Sequence, residues 1–190
     1  MKKLIVFVAL GLSAASMGIA RAAPPTFYVE ADLVKMSQKN TDGSGNARSI
    51  SGTSKTTNLR LRGGIHALSW LDAELHVILP RTGKYNDSAG GNVTLKTAVV
   101  GVFAKPNLDV GAVNIYGLAG LANVSSDLTS ATIGGTAHHT KFSIGAGAQI
   151  SITKNLSVTA DYVQYHKDID YGASQKNTVT AAGIGVKYMF

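Results

Sequence analysis

Hydrophobic and polar residues alternate along most of this chain. The stretch 26–36, TFYVEADLVKM, places Phe27, Val29 and Leu33 on one face of an extended segment and Glu30 and Asp32 on the other. Such alternation is the pattern of a β-strand whose two faces meet different surroundings. The same pattern recurs along the chain and predicts eight strands, at residues 26–36, 56–68, 70–79, 93–104, 113–124, 141–152, 156–165 and 178–190.

The connections between these segments alternate between short and long. Short links are expected at 67–69, 105–109 and 153–155, whereas long polar links are expected at 37–55, 80–92, 125–140 and 166–177. An antiparallel barrel that crosses the outer membrane has short periplasmic turns and longer external loops. The sequence therefore predicts an all-β fold, an eight-stranded antiparallel up-and-down transmembrane β-barrel with both termini in the periplasm.

A soluble eight-stranded barrel that binds an apolar ligand is the alternative fold, and it would have its charges outside. We favour the membrane barrel because each strand carries an apolar stripe that lipid would cover. Its narrow interior would then be filled by side chains, with five acids balancing four bases. The predicted lumen charge network consists of Glu30, Asp32, Arg60, Arg62, His66, Asp72, Glu74, His76, Lys96, Asp161 and Lys187.

Two of the predicted strands have less distinct faces. In the fourth strand we assign Val93, Leu95, Val99 and Phe103 to the lipid side because Lys96 falls on the other parity. The fifth strand is apolar or small on both faces, so its register stays open. His66 and His76 are expected to be ordinary hydrogen-bonded lumen residues; sensitivity of the network to pH near 6.5 is the alternative.

The first residues resemble an export signal. Lys2 and Lys3 precede an apolar run from Leu4 to Ala15, and Ala20 and Ala22 supply the small residues of a signal-peptidase site. We predict a cleaved signal peptide over 1–22, export through the Sec pathway and an outer-membrane domain over 23–190. The net charge of +7 includes three positive charges in the signal, and the remainder does not indicate a nucleic-acid partner.

The last two predicted strands carry a family resemblance. The segments GVKYMF, at 185–190, and LSVTADYVQY, at 156–165, resemble the closing strands of small bacterial outer-membrane barrels of the OmpA, OmpX and opacity-protein type. The resemblance implies that the barrel-assembly machinery recognises the last strand through Ile184, Val186, Tyr188 and Phe190. Because the sequence stops at Phe190, we do not expect the peptidoglycan-binding domain of full-length OmpA.

Candidate chemistry in the sequence is weak. His138 and His139 supply only two of the roughly four ligands of a closed metal site, and the chain has no cysteine. His139 and Ser143 do not match the His-x-Ser spacing of the lipid A deacylases among small barrels, and no third group orients a base. We therefore predict no catalytic residue, metal or cofactor.

The predicted function is a structural or surface-interaction role, similar to that of an adhesin, in the outer membrane of a Gram-negative cell. The expected partners are outer-membrane lipids and lipopolysaccharide, host or phage ligands at the loops, and the assembly machinery with periplasmic chaperones during biogenesis. A small passive channel is the alternative function. A lipid A-modifying enzyme is a further one.

Overall fold

The structure is a closed barrel of eight antiparallel strands in chain order. This computed structural model describes residues 26–42, 52–86, 92–129, 134–170 and 175–190; the predicted signal peptide lies outside them. The predicted fold class is thus confirmed. Within the described ranges, no helix is long and apolar enough to cross a membrane. The strands are β1 Thr26–Asp42, β2 Gly52–Leu68, β3 Leu71–Asn86, β4 Asn92–Val110, β5 Val113–Thr129, β6 Gly134–Ser151, β7 Leu156–Asp170 and β8 Gln175–Met189.

The first and last strands close the barrel. β1 pairs with β8 over its whole length, with Val29 opposite Tyr188 and Leu33 opposite Ile184. Closure leaves neither of the two terminal strands with a free edge, which removes the row of unpaired backbone groups that an open sheet exposes. An open edge would be especially costly in lipid, where no water satisfies it.

The strands are longer than the sequence pattern predicts. They contain 15 to 19 residues, whereas about 9–11 residues suffice to cross the hydrocarbon core. β1 continues to Asp42 and β2 begins at Gly52, so both enter the segment 37–55 that we expected to be a loop. The expected links at 80–92, 125–140 and 166–177 are shortened in the same way, because β3 ends at Asn86, β5 at Thr129 and β7 at Asp170. The polar residues there alternate less visibly because neither face of the strand meets lipid.

The turn between β4 and β5 is also displaced from its predicted position. The segment 105–109 continues β4, and the chain reverses at Gly111, whose φ is +64°. This left-handed conformation favours glycine and suits a tight hairpin. The mistake arose because Pro106 and Asn107 resemble turn residues, although Leu108 and Val110 continue the alternation on the outer face.

The orientation predicted for β4 is wrong. Val99 and Phe103 are buried inside the barrel, while Val100 and Val102 face outward. Lys96 consequently lies on the outer face, where it is exposed. Both faces of β4 are apolar at mid-height, so Lys96 was the only residue that decided which face we assigned to lipid. Lys96 stands beyond the apolar region, however, where an outward charge meets water or headgroups rather than hydrocarbon.

The outer surface of the barrel is an apolar belt. Around the middle of the barrel most outward residues of the eight strands are aliphatic or aromatic, and Trp70, Tyr188 and Phe190 lie toward the end with the short turns. This distribution fits a lipid-facing band with aromatic residues at its border. The exposed members include Phe27, Val29, Leu33, Leu59, Leu61, Leu108, Ile115, Leu121, Phe142, Ile144, Ile150, Val158, Tyr162, Ile184 and Val186.

The revised orientation of β4 can be tested by cysteine labelling, since the native chain has no cysteine. We expect Val102→Cys in the folded protein to react with a lipid-soluble maleimide. Val99→Cys should react only after unfolding, because Val99 is fully buried. Labelling of Val99→Cys but not Val102→Cys in folded protein, measured by mass spectrometry, would contradict the assignment.

Candidate functional site

The centre of the lumen is organised by two arginines of β2. Arg60 and Arg62 are two residues apart, so both point into the barrel, and both are buried. Their Nε atoms donate to the same carboxylate oxygen of Asp32, at 2.9 and 2.8 Å. Asp32 sits opposite Arg60 on the neighbouring strand, so the register of β1 and β2 fixes this contact.

Arg60 extends across the lumen to β7. Its Nη2 donates to both carboxylate oxygens of Asp161 at 2.7 Å, and its Nη1 donates to the Tyr165 hydroxyl at 3.2 Å. Asp32 and Asp161 therefore hold the guanidinium from opposite sides. Such charge-assisted contacts fix geometry as well as lowering energy.

Arg62 is the most highly connected side chain of the network. It pairs with Asp32 and Glu30 of β1, with Glu74 of β3 at 3.2 Å and with Asp161 of β7 at 3.0 Å. Burying a guanidinium is expensive unless its donors are satisfied. Four carboxylates around one arginine, with Arg60 sharing two of them, meet that requirement.

Glu74 forms the third centre of the network. Its Oε2 accepts hydrogen bonds from the Tyr28 hydroxyl at 2.6 Å and from Lys105 Nζ at 2.9 Å. Its Oε1 lies 2.6 Å from His76 Nε2, and His76 Nδ1 lies 3.1 Å from the Tyr165 hydroxyl. His76 thus links the part of the network around Glu74 to the part around Arg60.

Two lysines lie against tyrosine rings. Lys105 Nζ is 4.1 Å from the centroid of Tyr116, and Lys187 Nζ is 3.9 Å from that of Tyr28. These cation–π contacts supplement hydrogen bonds from Lys105 to Glu74 and from Lys187 to Gln149. Lysine ammonium groups inside the barrel are therefore partnered by rings where carboxylates are insufficient.

Glycines on neighbouring strands make room for these rings. Tyr116 stands opposite Gly147, and a Cβ at Gly147 would lie 2.5 Å from its ring. Tyr28 stands opposite Gly64 and covers it in the same way. Each ring folds over a glycine of the adjacent strand, which keeps a large side chain within a narrow barrel.

A largely apolar layer lies in the lumen above the charged network, on the side away from the short turns. Phe103 stacks on His76, with ring centroids 4.3 Å apart, and so joins the two layers. The sequence analysis did not predict this layer. Its buried members include Val34, Met36, Ile78, Val99, Leu118, Ala122, Val124, Val163, Val179 and Ala181.

The structure places ten of the eleven predicted network residues at the lumen. His66 lies at its edge, partly exposed and 2.5 Å from Asp72, while the other nine are buried. Lys96 is the exception, and Lys105 occupies the lumen in its stead. Five acids and four bases among the described side chains are thus buried, the balance that was expected.

The sequence analysis missed Lys105 because it assigned this residue to a turn. It missed the lumen tyrosines Tyr28, Tyr116 and Tyr165 because a buried hydroxyl leaves no distinctive sequence signal. One signal could have identified Lys105. It lies on the same face of β4 as Val99 and Phe103. If that face had been assigned to the lumen, Lys105 would have been placed opposite Asp72, beside Glu74.

The candidate catalytic and metal-binding residues do not form a site in the described part of the chain. Ser143 is buried, and its hydroxyl donates to the Tyr165 carbonyl at 2.8 Å rather than meeting a base. His138 Nδ1 lies 2.8 Å from the Ser125 hydroxyl. No group of three or more metal-ligating side chains occurs among the described residues.

Three residues of the predicted assembly signal lie on the outer face of β8, and the fourth, Phe190, directly follows the strand. Ile184, Val186, Tyr188 and Phe190 are exposed toward lipid. The Phe190 amide donates to the Phe27 carbonyl at 3.0 Å, and its ring lies 5.3 Å from that of Tyr188. Recognition of this strand by an assembly factor stays a prediction.

Comparison with known proteins identifies the family. The model of the outer membrane protein beta-barrel domain matches residues 5–190. The chain belongs to this family. It is therefore an outer-membrane β-barrel protein, as the resemblance in its last strands implied. No curated protein matches the chain.

Solved structures of small outer-membrane barrels share the fold. Neisserial surface protein A has 17% identity and a TM-score of 0.65, with 88% of this chain and 100% of that chain covered. OprG from Pseudomonas aeruginosa has 13% identity and a TM-score of 0.68, with 87% and 96% covered. Ail, the attachment invasion locus protein of Yersinia pestis, solved with the heparin analogue sucrose octasulfate, has 16% identity and a TM-score of 0.58, with 88% and 100% covered.

Replacement of Lys105 tests the composition of the network. We expect Lys105→Met to destabilise the folded barrel by about 3–5 kcal/mol, because Glu74 loses a buried partner. Lys96→Met removes the same charge from the outer face and should change stability by less than about 0.5 kcal/mol. Urea titration of the folded fraction in lipid vesicles measures both, and equal losses would contradict our assignment of the two lysines.

Replacement of Phe190 tests the assembly signal. We expect Phe190→Asp to reduce the folded protein in the outer membrane several-fold while export continues, because the last outward aromatic is lost. Phe142→Asp, which places the same charge on the outer face of β6, is the control. The heat-dependent shift in gel mobility reports the folded fraction, and equal reductions in both variants would show that the C-terminal position has no special role.

Proposed function

We propose that the protein is a non-conducting, non-enzymatic outer-membrane barrel that acts through its outer surface. Its membrane-spanning part serves as a rigid anchor, and the connections at the end opposite the short turns, 43–51, 87–91, 130–133 and 171–174, are presented to the exterior. Host surfaces, phage and lipopolysaccharide are the classes of partner that such a role implies.

The main support for a non-conducting lumen is that two different layers fill it one above the other. One is the charged network and the other is the apolar layer. An ion that entered from the end with the short turns would first meet a network whose charges already neutralise one another. It would then meet a layer of buried aliphatic side chains around Val34, Met36 and Val179. Apolar constrictions oppose ion passage because they exclude water.

We propose no enzymatic role because the buried serine and histidine side chains are already engaged in interior contacts. Ser143 and His76 are both engaged in the interior of the barrel, Ser143 with a backbone carbonyl and His76 with Glu74 and Tyr165. A nucleophile needs a base within reach and an accessible substrate position. Neither residue has such an arrangement within the described chain.

A surface role is consistent with how the interior is used. The barrel interior is held by contacts that span several strands, and its charged groups are partnered within the protein. Among proteins of this fold, Ail was solved with a heparin analogue, but its low identity supports only the shared architecture. During biogenesis we expect the chain to meet periplasmic chaperones and the barrel-assembly machinery.

Planar lipid-bilayer recording tests the closed lumen. We expect no steady conductance from the native protein. Val34→Gly combined with Met36→Gly should introduce brief openings, because both residues fill the apolar layer; Leu33→Gly, on the outer face, should not. A steady, large conductance from the native protein would favour the passive channel and overturn the proposal.

A further inference from the structure

A second charged feature lies on the outer face of β1 and β2. Lys35, Lys39 and Lys55 are exposed, and their sequence neighbours Val34, Gln38 and Ser54 are buried in the lumen. Because side chains alternate along a strand, the three lysines point outward. We call Lys35, Lys39 and Lys55 the basic patch.

The basic patch begins where the apolar belt ends. On β1, Lys35 follows Leu33 on the same face, and on β2, Leu59 is separated from Lys55 by Thr57 alone. Successive outward positions are about 7 Å apart along a strand. The patch therefore stands at the border between hydrocarbon and headgroups, at the barrel end with the long connections. In this family that end faces the exterior.

Hydroxyl groups separate the lysines across the strands. Lys35 pairs with Thr57, Lys39 with Thr53 and Lys55 with Ser37. No lysine stands directly opposite another, so the repulsion between facing like charges is avoided. Ammonium and hydroxyl donors consequently alternate over the surface, which suits a ligand with several acceptor oxygens.

No acid neutralises these lysines within the described side chains. In β8, β1 and β2 the acids with described side chains are Glu30 and Asp32, and both face the lumen. No ion pair of the described residues involves Lys35, Lys39 or Lys55. Lys96 differs, because it stands opposite Asp127 on β5.

The other end of the same outer face carries no such charge. Phe27, Leu68, Tyr188 and Phe190 border the belt there, and all are apolar or aromatic. The uncompensated positive charge on the outer face of β1 and β2 therefore lies at the exterior leaflet. The lipid of that leaflet in an outer membrane is a glycolipid with phosphates at the headgroup, where lysine side chains of this length can reach.

We propose that the basic patch binds the phosphate groups of an outer-leaflet glycolipid of the lipid A type. The lysine ammonium groups and the neighbouring hydroxyls donate to the phosphate oxygens, and the aliphatic belt below contacts the acyl chains. This site depends on the orientation of the barrel and not on whether its lumen conducts.

A charge-matched pair of triple variants tests the site. The first combines Lys35→Gln, Lys39→Gln and Lys55→Gln; the control combines Lys96→Gln, Lys141→Gln and Lys167→Gln, which are exposed elsewhere. The full chain, folded in dodecyl maltoside micelles, is titrated with labelled bisphosphorylated lipid A. A lysine near an anionic surface contributes about fivefold in affinity, so we expect about a hundredfold loss in the first triple and little in the control. Heat-dependent gel mobility verifies folding of both.

Further probes distinguish the source of the phosphate. Dephosphorylated lipid A should bind the native protein as weakly as bisphosphorylated lipid A binds the first triple variant, and inorganic phosphate should not compete at millimolar concentration. Equal losses in both triples would overturn the proposal in favour of a general charge effect. Patch-dependent binding of heparin that exceeds that of lipid A would overturn it in favour of a soluble polysaccharide ligand.

Discussion

The closed barrel depends on neutralising Arg62. A guanidinium buried inside an eight-stranded barrel is removed from bulk water, so side chains from the surrounding strands must neutralise its charge. Glu30 and Asp32 reach it from β1, Glu74 from β3 and Asp161 from β7. These contacts specify which strands lie beside and across from each other. A slip of one residue in any of the strands would turn a carboxylate outward into lipid and leave the arginine uncompensated.

The narrowness of the barrel imposes a second constraint, which the tyrosines and glycines satisfy together. Tyr28 and Tyr116 fold over Gly64 and Gly147, and each ring then lies against a lysine. The rings provide a partner for Lys187 and Lys105 where another carboxylate would add negative charge. The interior therefore stays close to neutral, with five buried acids and four buried lysine and arginine side chains.

The sequence predicted most of the fold because lipid and lumen impose opposite chemistry on alternate residues. At least one charged or polar residue within the height of the apolar belt must face the lumen in six strands, β1, β2, β3, β6, β7 and β8. That residue decides which face of each strand points inward. β4 lacks such a residue at mid-height: Val99, Val100, Val102 and Phe103 are all acceptable to either environment. Its orientation is decided instead by contacts with distant residues, since Phe103 stacks on His76 and Lys105 reaches Glu74. The apolar layer escaped prediction for the same reason. Aliphatic residues that face the lumen cannot be distinguished in the sequence from those that face lipid. Only their contacts with the neighbouring strands distinguish them.

The same physical rule separates the two sets of charges in this protein. Inside the barrel, lysine and arginine are surrounded by carboxylates or rings because no solvent reaches them. On the outer face of β1 and β2, Lys35, Lys39 and Lys55 alternate with hydroxyl residues and face no described acid, which is tolerable only where another source of negative charge or water is at hand. A lumen whose charges are already satisfied within the protein offers little to a ligand, whereas a surface whose charges are not satisfied within the protein has binding capacity left. The proposed contacts with other molecules accordingly lie on the exterior of this barrel, and the interior serves to keep that exterior in shape.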